Sequence, residues 1–258
     1  MISRLMVDQD RYPLTAAAGA AYREQFERDK YVRFSGFFTP DAFALLADEV
    51  GRLRRLAIRR DLQMEGSGGS PRKMSTLGGH VIAEYSTIVP QLYSDTSLLT
   101  FLGGVAGEAV LEVPDPVENF VLNVLHRTGD THGGHIDTYA FAFNLFIEGP
   151  PEDAGGALEY VPGSDQLGDL RGPKVRRVWH QPNDCYLLKT DEAPHRVSPL
   201  TREHRRTIVN MAFANRATVD LASYSSSVLY GGTPDHQVQE PGSPQEEPAP
   251  ARLRQVAV

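Results

Sequence analysis

His135 and Asp137 stand two residues apart in Thr131-His-Gly-Gly-His135-Ile-Asp137, and in extended chain residues i and i+2 project from the same face. The segment reads as the opening of a strand with an imidazole and a carboxylate side by side. That pair can grip a divalent metal, and one further histidine would complete the two-histidine, one-carboxylate facial triad of non-heme Fe(II) oxygenases, which leaves positions open for cosubstrate and oxygen. His195, in Ala193-Pro-His-Arg-Val197, follows a strand-like run that ends at Lys189, so an antiparallel fold could return it beside the first two. Alone, a His-x-Asp tripeptide is more often a surface pair or a strand cap. What sets this one apart is the second half, His195-Arg-Val-Ser-Pro199, then a short turn and Arg205-Arg206-Thr-Ile-Val. An arginine in an apolar strand is costly unless it meets an anion, and a carboxylate held by two hydrogen bonds is the natural partner. Strand alternation puts Arg206 on the same face as Asn210 and Arg205 on the other.

Elements that could carry these residues can be read along the chain. Helical periodicity runs from Thr15 to Lys30, and a second helix is expected after Thr39-Pro-Asp41, where an N-cap, a first-turn proline and a carboxylate precede Phe43, Leu46, Val50, Leu53 and Ala57. A short strand, Tyr31–Phe34, separates them, and a third helix is expected over Ser97–Ala106. Glu65-Gly-Ser-Gly-Gly-Ser-Pro71 reads as a flexible loop able to close over a site. From Asn119 onward the chain reads as strands, Phe120–Leu125, Tyr139–Ile147, Ala157–Val161, Cys185–Leu188 and Thr207–Phe213, broken by Gly149-Pro-Pro, Gly155-Gly156, Pro162-Gly163 and Pro182-Asn183. Such spacing predicts a mainly β fold with flanking helices, a double-stranded β-helix (jelly roll, cupin-like) rather than β-α units. One domain is expected over residues 1–232, helical to about 110 and jelly roll from 111, with a Pro-, Gln- and Glu-rich disordered tail over 233–258.

Composition narrows the class. With 41 % hydrophobic and 23 % charged residues the 258-residue chain is ordinary globular protein, and its net charge of −7 speaks against a nucleic-acid or anionic membrane surface. No membrane segment or secretory signal is visible, and the lone Cys185 fits a reducing compartment, so a cytoplasmic protein is expected, with Cys185 in the core. His80, His126, His180, His204 and His236 read as surface or capping residues and Trp179 as packing.

Over Asn119–Asn215 the order His-x-Asp, His-x-Val-x-Pro and an arginine at the next strand resembles the prolyl-hydroxylase-like Fe(II)/2-oxoglutarate dioxygenases. More specifically, His132-Gly-Gly-His-Ile-Asp-Thr-Tyr-Ala-Phe-Ala-Phe143 with Glu148-Gly-Pro-Pro-Glu-Asp-Ala-Gly-Gly-Ala-Leu-Glu-Tyr-Val161 is similar to the radical halogenases of free, lysine-type amino acids. The resemblance implies Fe(II) held by His135, Asp137 and His195, 2-oxoglutarate as cosubstrate, O2 as oxidant and an amino acid as substrate. In those halogenases a glycine replaces the carboxylate ligand and makes room for chloride. Keeping Asp137 therefore implies a hydroxylase. The offset from His195 in such relatives favours Arg205 as the grip on 2-oxoglutarate where alternation favours Arg206, so both stand as candidates.

For the substrate, the resemblance places Arg72 at the amino-acid carboxylate, Glu118 and His132 at its polar ends, and Asn210 beside the iron. Read without it, Arg72 beside Lys73 is a solvated basic loop and Glu118 a surface strand end. Thr138 stands where the lysine halogenases carry an acidic residue, which points away from lysine itself. Desaturation or cyclisation could follow the same hydrogen abstraction as hydroxylation. Two other classes stay open, a cupin-type metalloenzyme that does not use 2-oxoglutarate and a non-catalytic jelly-roll binding module. A homodimer is the commonest assembly for such a domain.

Overall fold

The computed structural model describes residues 2–231, so the tail expected over 233–258 and His236 lie outside the described residues. In chain order the helices are α1 (Ser3–Met6), α2 (Ala16–Ala20), α3 (Arg23–Asp29), α4 (Pro40–Leu53), α5 (Gly79–Tyr85), α6 (Ile88–Tyr93) and α7 (Thr96–Ala106). The strands are β1 (Tyr31–Phe34), β2 (Ile58–Met64), β3 (Ser70–Leu77), β4 (Leu111–Glu112), β5 (Phe120–Leu125), β6 (Thr131–His135), β7 (Phe141–Glu148), β8 (Leu158–Tyr160), β9 (Arg176–Val178), β10 (Cys185–Lys189), β11 (His195–Val197) and β12 (Arg206–Ala214).

All strands join one antiparallel sheet in the order β1-β10-β7-β12-β5-β3-β6-β11-β8-β9, with β2 added to β3 and β4 to β12. This curled sheet with helices on one side is the jelly-roll architecture expected. Alternation along the strands divides two cores. Phe141, Phe143 and Leu145 of β7, Val209, Met211 and Phe213 of β12, and Cys185 and Leu187 of β10 face the helices, where they pack with Phe26, Phe37, Leu46, Phe101 and Leu102. The next residue in each case points inward, so Phe146, Tyr186 and Ile208 line the inside of the curl with Leu158 and Tyr160.

Local chemistry explains the helices. The Thr39 hydroxyl accepts the Ala42 amide at the start of α4, and the Asp95 carboxylate caps α7 through Ser97. The single helix expected over Thr15–Lys30 is two, because the chain turns at Ala21 and Tyr22. Gly19 lies so close to α7 that a Cβ there would sit 2.1 Å from the Phe101 carbonyl oxygen. Close packing on α7 thus overrides the continuous periodicity. Residues 65–71 are not an isolated loop but the tip of the β2–β3 hairpin. Its first strand, Ile58-Arg-Arg-Asp-Leu-Gln-Met64, sets Arg59, Asp61 and Gln63 on one face and interrupts the apolar other face with Arg60, so it carries little strand signal. Among the described residues no helix is long and apolar enough to cross a membrane.

Candidate metal centre and substrate pocket

His135 closes β6 rather than opening a strand, which corrects the expectation for this segment. The Gly133 position explains how β6 approaches β3: a Cβ there would meet the Pro71 carbonyl oxygen at 2.6 Å. Beyond His135 the backbone leaves the ladder, and the Asp137 amide donates to the Thr190 carbonyl at 3.2 Å. His195 begins β11 and is directly paired with His135. His195, sixty residues on from His135, is thereby brought beside the His135–Asp137 pair.

Their ligand atoms all lie within 4.8 Å of one another. His135 Nε2 is 3.4 Å from Asp137 Oδ1 and His195 Nε2 is 3.8 Å from Oδ2. The second ring nitrogen of each histidine is engaged behind, where Nδ1–H of His135 donates to the Gly133 carbonyl at 2.7 Å and that of His195 to the Ala193 carbonyl at 2.9 Å. Those bonds fix the tautomer that turns a lone pair on Nε2 inward, as metal ligation requires. Burial holds the His135 imidazole well below its ordinary range, with the neighbouring His195 and His132 acting in the same direction. Burial likewise brings His195 down to about 4. Both shifts favour the neutral imidazole, the form able to ligate a metal. Burial pushes Asp137 up to about 7 against the pull of Arg72, a cost that a cation among the three groups would reverse. The donor set, two neutral imidazoles and one carboxylate, fits a divalent metal with open positions.

Arg206 and Arg205 separate cleanly. Arg205 is half exposed and donates to Glu148 at 3.0 Å on the outside. Arg206 is 1 % exposed, lies over the Phe146 ring at 4.8 Å and donates through Nε to the Gly156 carbonyl at 3.0 Å. Gly156 has φ +73°, a left-handed conformation that glycine adopts freely and that presents this carbonyl. Burial lowers the Arg206 pKa while Tyr186 beside it raises it. Among the described residues no carboxylate pairs with it, and Nη2 is buried without a hydrogen-bond partner. A fully buried guanidinium with a free donor is a socket for an anion. His180, expected at the surface, lies here instead, 3 % exposed, stacked on Phe146 with ring centroids 4.3 Å apart and bonded to the Tyr31 hydroxyl at 2.8 Å. Its neighbours Trp179 and Gln181 gave the sequence no sign of this. Cys185 is in the core as expected.

A cavity of about 190 Å³ opens beside the triad, lined by His135, Asp137, Arg72, Glu118, His132 and Asn210 among others. All four residues expected at the substrate therefore meet there. Arg72, on β3 opposite His132, is 2 % exposed. Its Nη1 donates to Ser70 Oγ at 2.7 Å, while Nε is buried without a partner. His132 stacks on His135 with centroids 4.3 Å apart. Glu118 accepts from the Ser225 hydroxyl at 2.6 Å. Burial outweighs that hydrogen bond and raises Glu118 to about 7, and Oε2 is left free. Asn210 Oδ1 is likewise buried and free. Thr138 also lines the cavity.

One wall was missed by sequence reading. Tyr224, Ser225, Leu229 and Tyr230 line the cavity from a C-terminal strap, with a π-helical turn over Ser226–Tyr230. Arg60 donates to the Gly231 carbonyl at 2.7 Å and Thr76 to the Leu229 carbonyl at 3.0 Å, pinning the strap to the hairpin. The aromatic residues within a serine-rich run were the only available signal.

The sequence matches the Halogenase D family over residues 14–227. The chain belongs to this family. No curated protein matches it. Among solved structures the fold is similar to that of the non-heme α-ketoglutarate-dependent epimerase SnoN from nogalamycin biosynthesis, with TM-score 0.59 and 16 % identity over 77 % of this chain and 84 % of that one. It is similar also to AviO1 from Streptomyces viridochromogenes Tue57, with TM-score 0.60 and 17 % identity over 77 % and 96 % of the two chains. A prolyl hydroxylase from Trichoplax adhaerens gives TM-score 0.58 and 13 % identity over 81 % and 94 %. SnoN has been crystallised with Fe3+, α-ketoglutarate and nogalamycin RO.

Proposed function

We propose that this protein is an Fe(II)/2-oxoglutarate-dependent oxygenase that hydroxylates an unactivated C–H bond of a free amino acid or close derivative. The observation that carries the reading is the convergence of His135, Asp137 and His195 with both Nε2 atoms turned inward. Bound there, ferrous iron with O2 and the keto acid would supply the oxidising power to break the C–H bond, with succinate and CO2 as co-products. Arg206, buried and lacking an anion, would receive the distal carboxylate of 2-oxoglutarate, whereas Arg205 faces outward to Glu148.

The substrate end of the cavity is bipolar. Arg72 offers a free donor, and Glu118 and Asn210 offer free acceptors, a complement to a molecule that carries a carboxylate and an ammonium. The cavity, about 190 Å³, is below the range of about 300–1,000 Å³ that holds drug-sized ligands, which favours a free amino acid over a large natural product. Asp137 fills the position that a glycine opens to halide in the halogenases it resembles, so hydroxyl transfer is favoured over chlorination.

The test has two parts. Anaerobic Fe(II) and 2-oxoglutarate should give a visible charge-transfer band that His135→Ala abolishes. Free amino acids screened in air should include one that gains an oxygen atom in step with succinate. Succinate release that depends on an amino acid yet persists in His135→Ala stripped of iron would refute the reading.

A further inference from the structure

Thr190 makes three hydrogen bonds to the four residues that begin with the carboxylate ligand. Its carbonyl accepts the Asp137 amide at 3.2 Å, its amide donates to the Ala140 carbonyl at 2.9 Å, and its hydroxyl donates to the Tyr139 carbonyl at 2.8 Å. The residue is 0 % exposed. It follows β10 directly and precedes His195 by five positions, on the segment that leads into β11. Asp137 lies outside the β6 ladder, so the sheet itself does not fix its carboxylate relative to His195. The hydrogen-bond pattern leaves that task to Thr190.

We propose that Thr190 is a positioning residue for the metal centre, clasping the Asp137–Ala140 turn to the segment that carries His195 so that the carboxylate and the second imidazole face one ion. This rests on the metal-centre reading above. The clasp has two layers. The backbone bonds set the path of the turn, and the buried hydroxyl fixes its far end at Tyr139. With the hydroxyl gone, the Tyr139 carbonyl has lost a buried donor, and the turn can relax towards other partners. Asp137 would move with it. Groups that orient first ligands from behind commonly govern metal affinity as strongly as the ligands' immediate surroundings.

Metal affinity reads this without turnover. Co(II) is titrated anaerobically into wild type, Thr190→Val, Thr190→Ala and Thr190→Ser, followed by its visible absorption, and the melting temperature of each metal-free protein is recorded. Val and Ala are expected to weaken Co(II) binding about tenfold or more, and Ser, which keeps the hydroxyl, to stay within about threefold of wild type. Tyr12→Phe serves as the control, because it removes a hydroxyl-to-carbonyl bond at Ser35, 2.9 Å long, from a buried side chain in the helix-facing core away from the triad. It is expected to lower the melting temperature and leave Co(II) affinity unchanged. Equal affinity in Thr190→Val and wild type would overturn the proposal, as would a folded Ser variant as weak as Ala, or a Tyr12→Phe variant that loses as much affinity as Thr190→Val. Wild-type protein that takes up no Co(II) would instead defeat the metal-centre reading itself.

Discussion

At the scale of single residues, neighbours in sequence play opposite parts. Arg205 and Arg206 look alike in sequence, yet one is exposed and paired with Glu148 while the other is sealed inside with a free Nη2. Arg206→Gln is expected to raise the KM for 2-oxoglutarate by a hundredfold or so, the loss of about 3 kcal/mol that removal of a charge-assisted pair implies. Arg205→Gln should leave that KM unchanged and cost at most about 1 kcal/mol of stability. Steady-state kinetics on both variants decides the assignment. Glu118 makes a different forecast. Burial lifts its pKa from 4.5 to about 7, so the folded protein holds this proton more tightly than the unfolded chain does. Its contribution to stability is therefore intact below about 4.5 and is lost as pH climbs through 7. Glu118→Gln removes that slope, and substrate-free protein should be more stable than wild type by up to about 3 kcal/mol at pH 8 and equal to it at pH 4. Denaturant melts at the two pH values measure this. Asp137→Gly in chloride is expected to shift product from hydroxylated to chlorinated amino acid, read by mass spectrometry.

At the scale of elements, the hairpin of β2 and β3 is the part that sequence reading did not see, and it does much of the holding. The Asp130 carboxylate is buried at the turn between β5 and β6. It accepts from Arg59 of β2 at 2.9 and 2.6 Å and from the amides of His126 and Arg127 at 2.9 and 3.1 Å. Burial alone would raise its pKa, but these bonds outweigh it and hold the group below the usual carboxylate range. Asp130→Ala leaves Arg59 and two amides unpaired and should cost about 3 kcal/mol or more, measured by urea unfolding. Because the folded pKa is depressed, wild type should lose this contribution as pH falls through the carboxylate range, and the variant should show a shallower acid limb. What was legible follows the strength of the local signal. The Thr39 cap, the β5, β7, β10 and β12 runs and the His-x-Asp spacing all carry patterns that tertiary contacts only reinforce. The break between α2 and α3, the burial of His180 and the strap do not, because each depends on a surface supplied by residues distant in sequence, while β2, paired with the adjacent β3, carries too many charged side chains to stand out. The convergence of His135, Asp137 and His195 was readable since a chemical requirement fixes the types and spacing of such a triad. The choice between two adjacent arginines was not, since it turns on register.

For the whole molecule, the two cores divide the labour. The helix-facing core holds the curl in shape, and the inner one leaves buried polar atoms unpaired, namely Arg206 Nη2, Arg72 Nε, Glu118 Oε2 and Asn210 Oδ1. Each is a debt to stability in the empty protein. Ligands should therefore raise the melting temperature markedly. Divalent metal at about a hundred times its dissociation constant adds about 2.7 kcal/mol, or roughly 5–10 °C for a chain of this size, and chelation should return the midpoint to its starting value in a thermal melt. The strap from Tyr224 to Gly231 lies later in the chain than His135, Asp137, His195 and every strand among the described residues. Translation therefore produces the three candidate ligands before this wall of the cavity. Divergence confined to those eight residues would reshape the wall and leave the triad untouched.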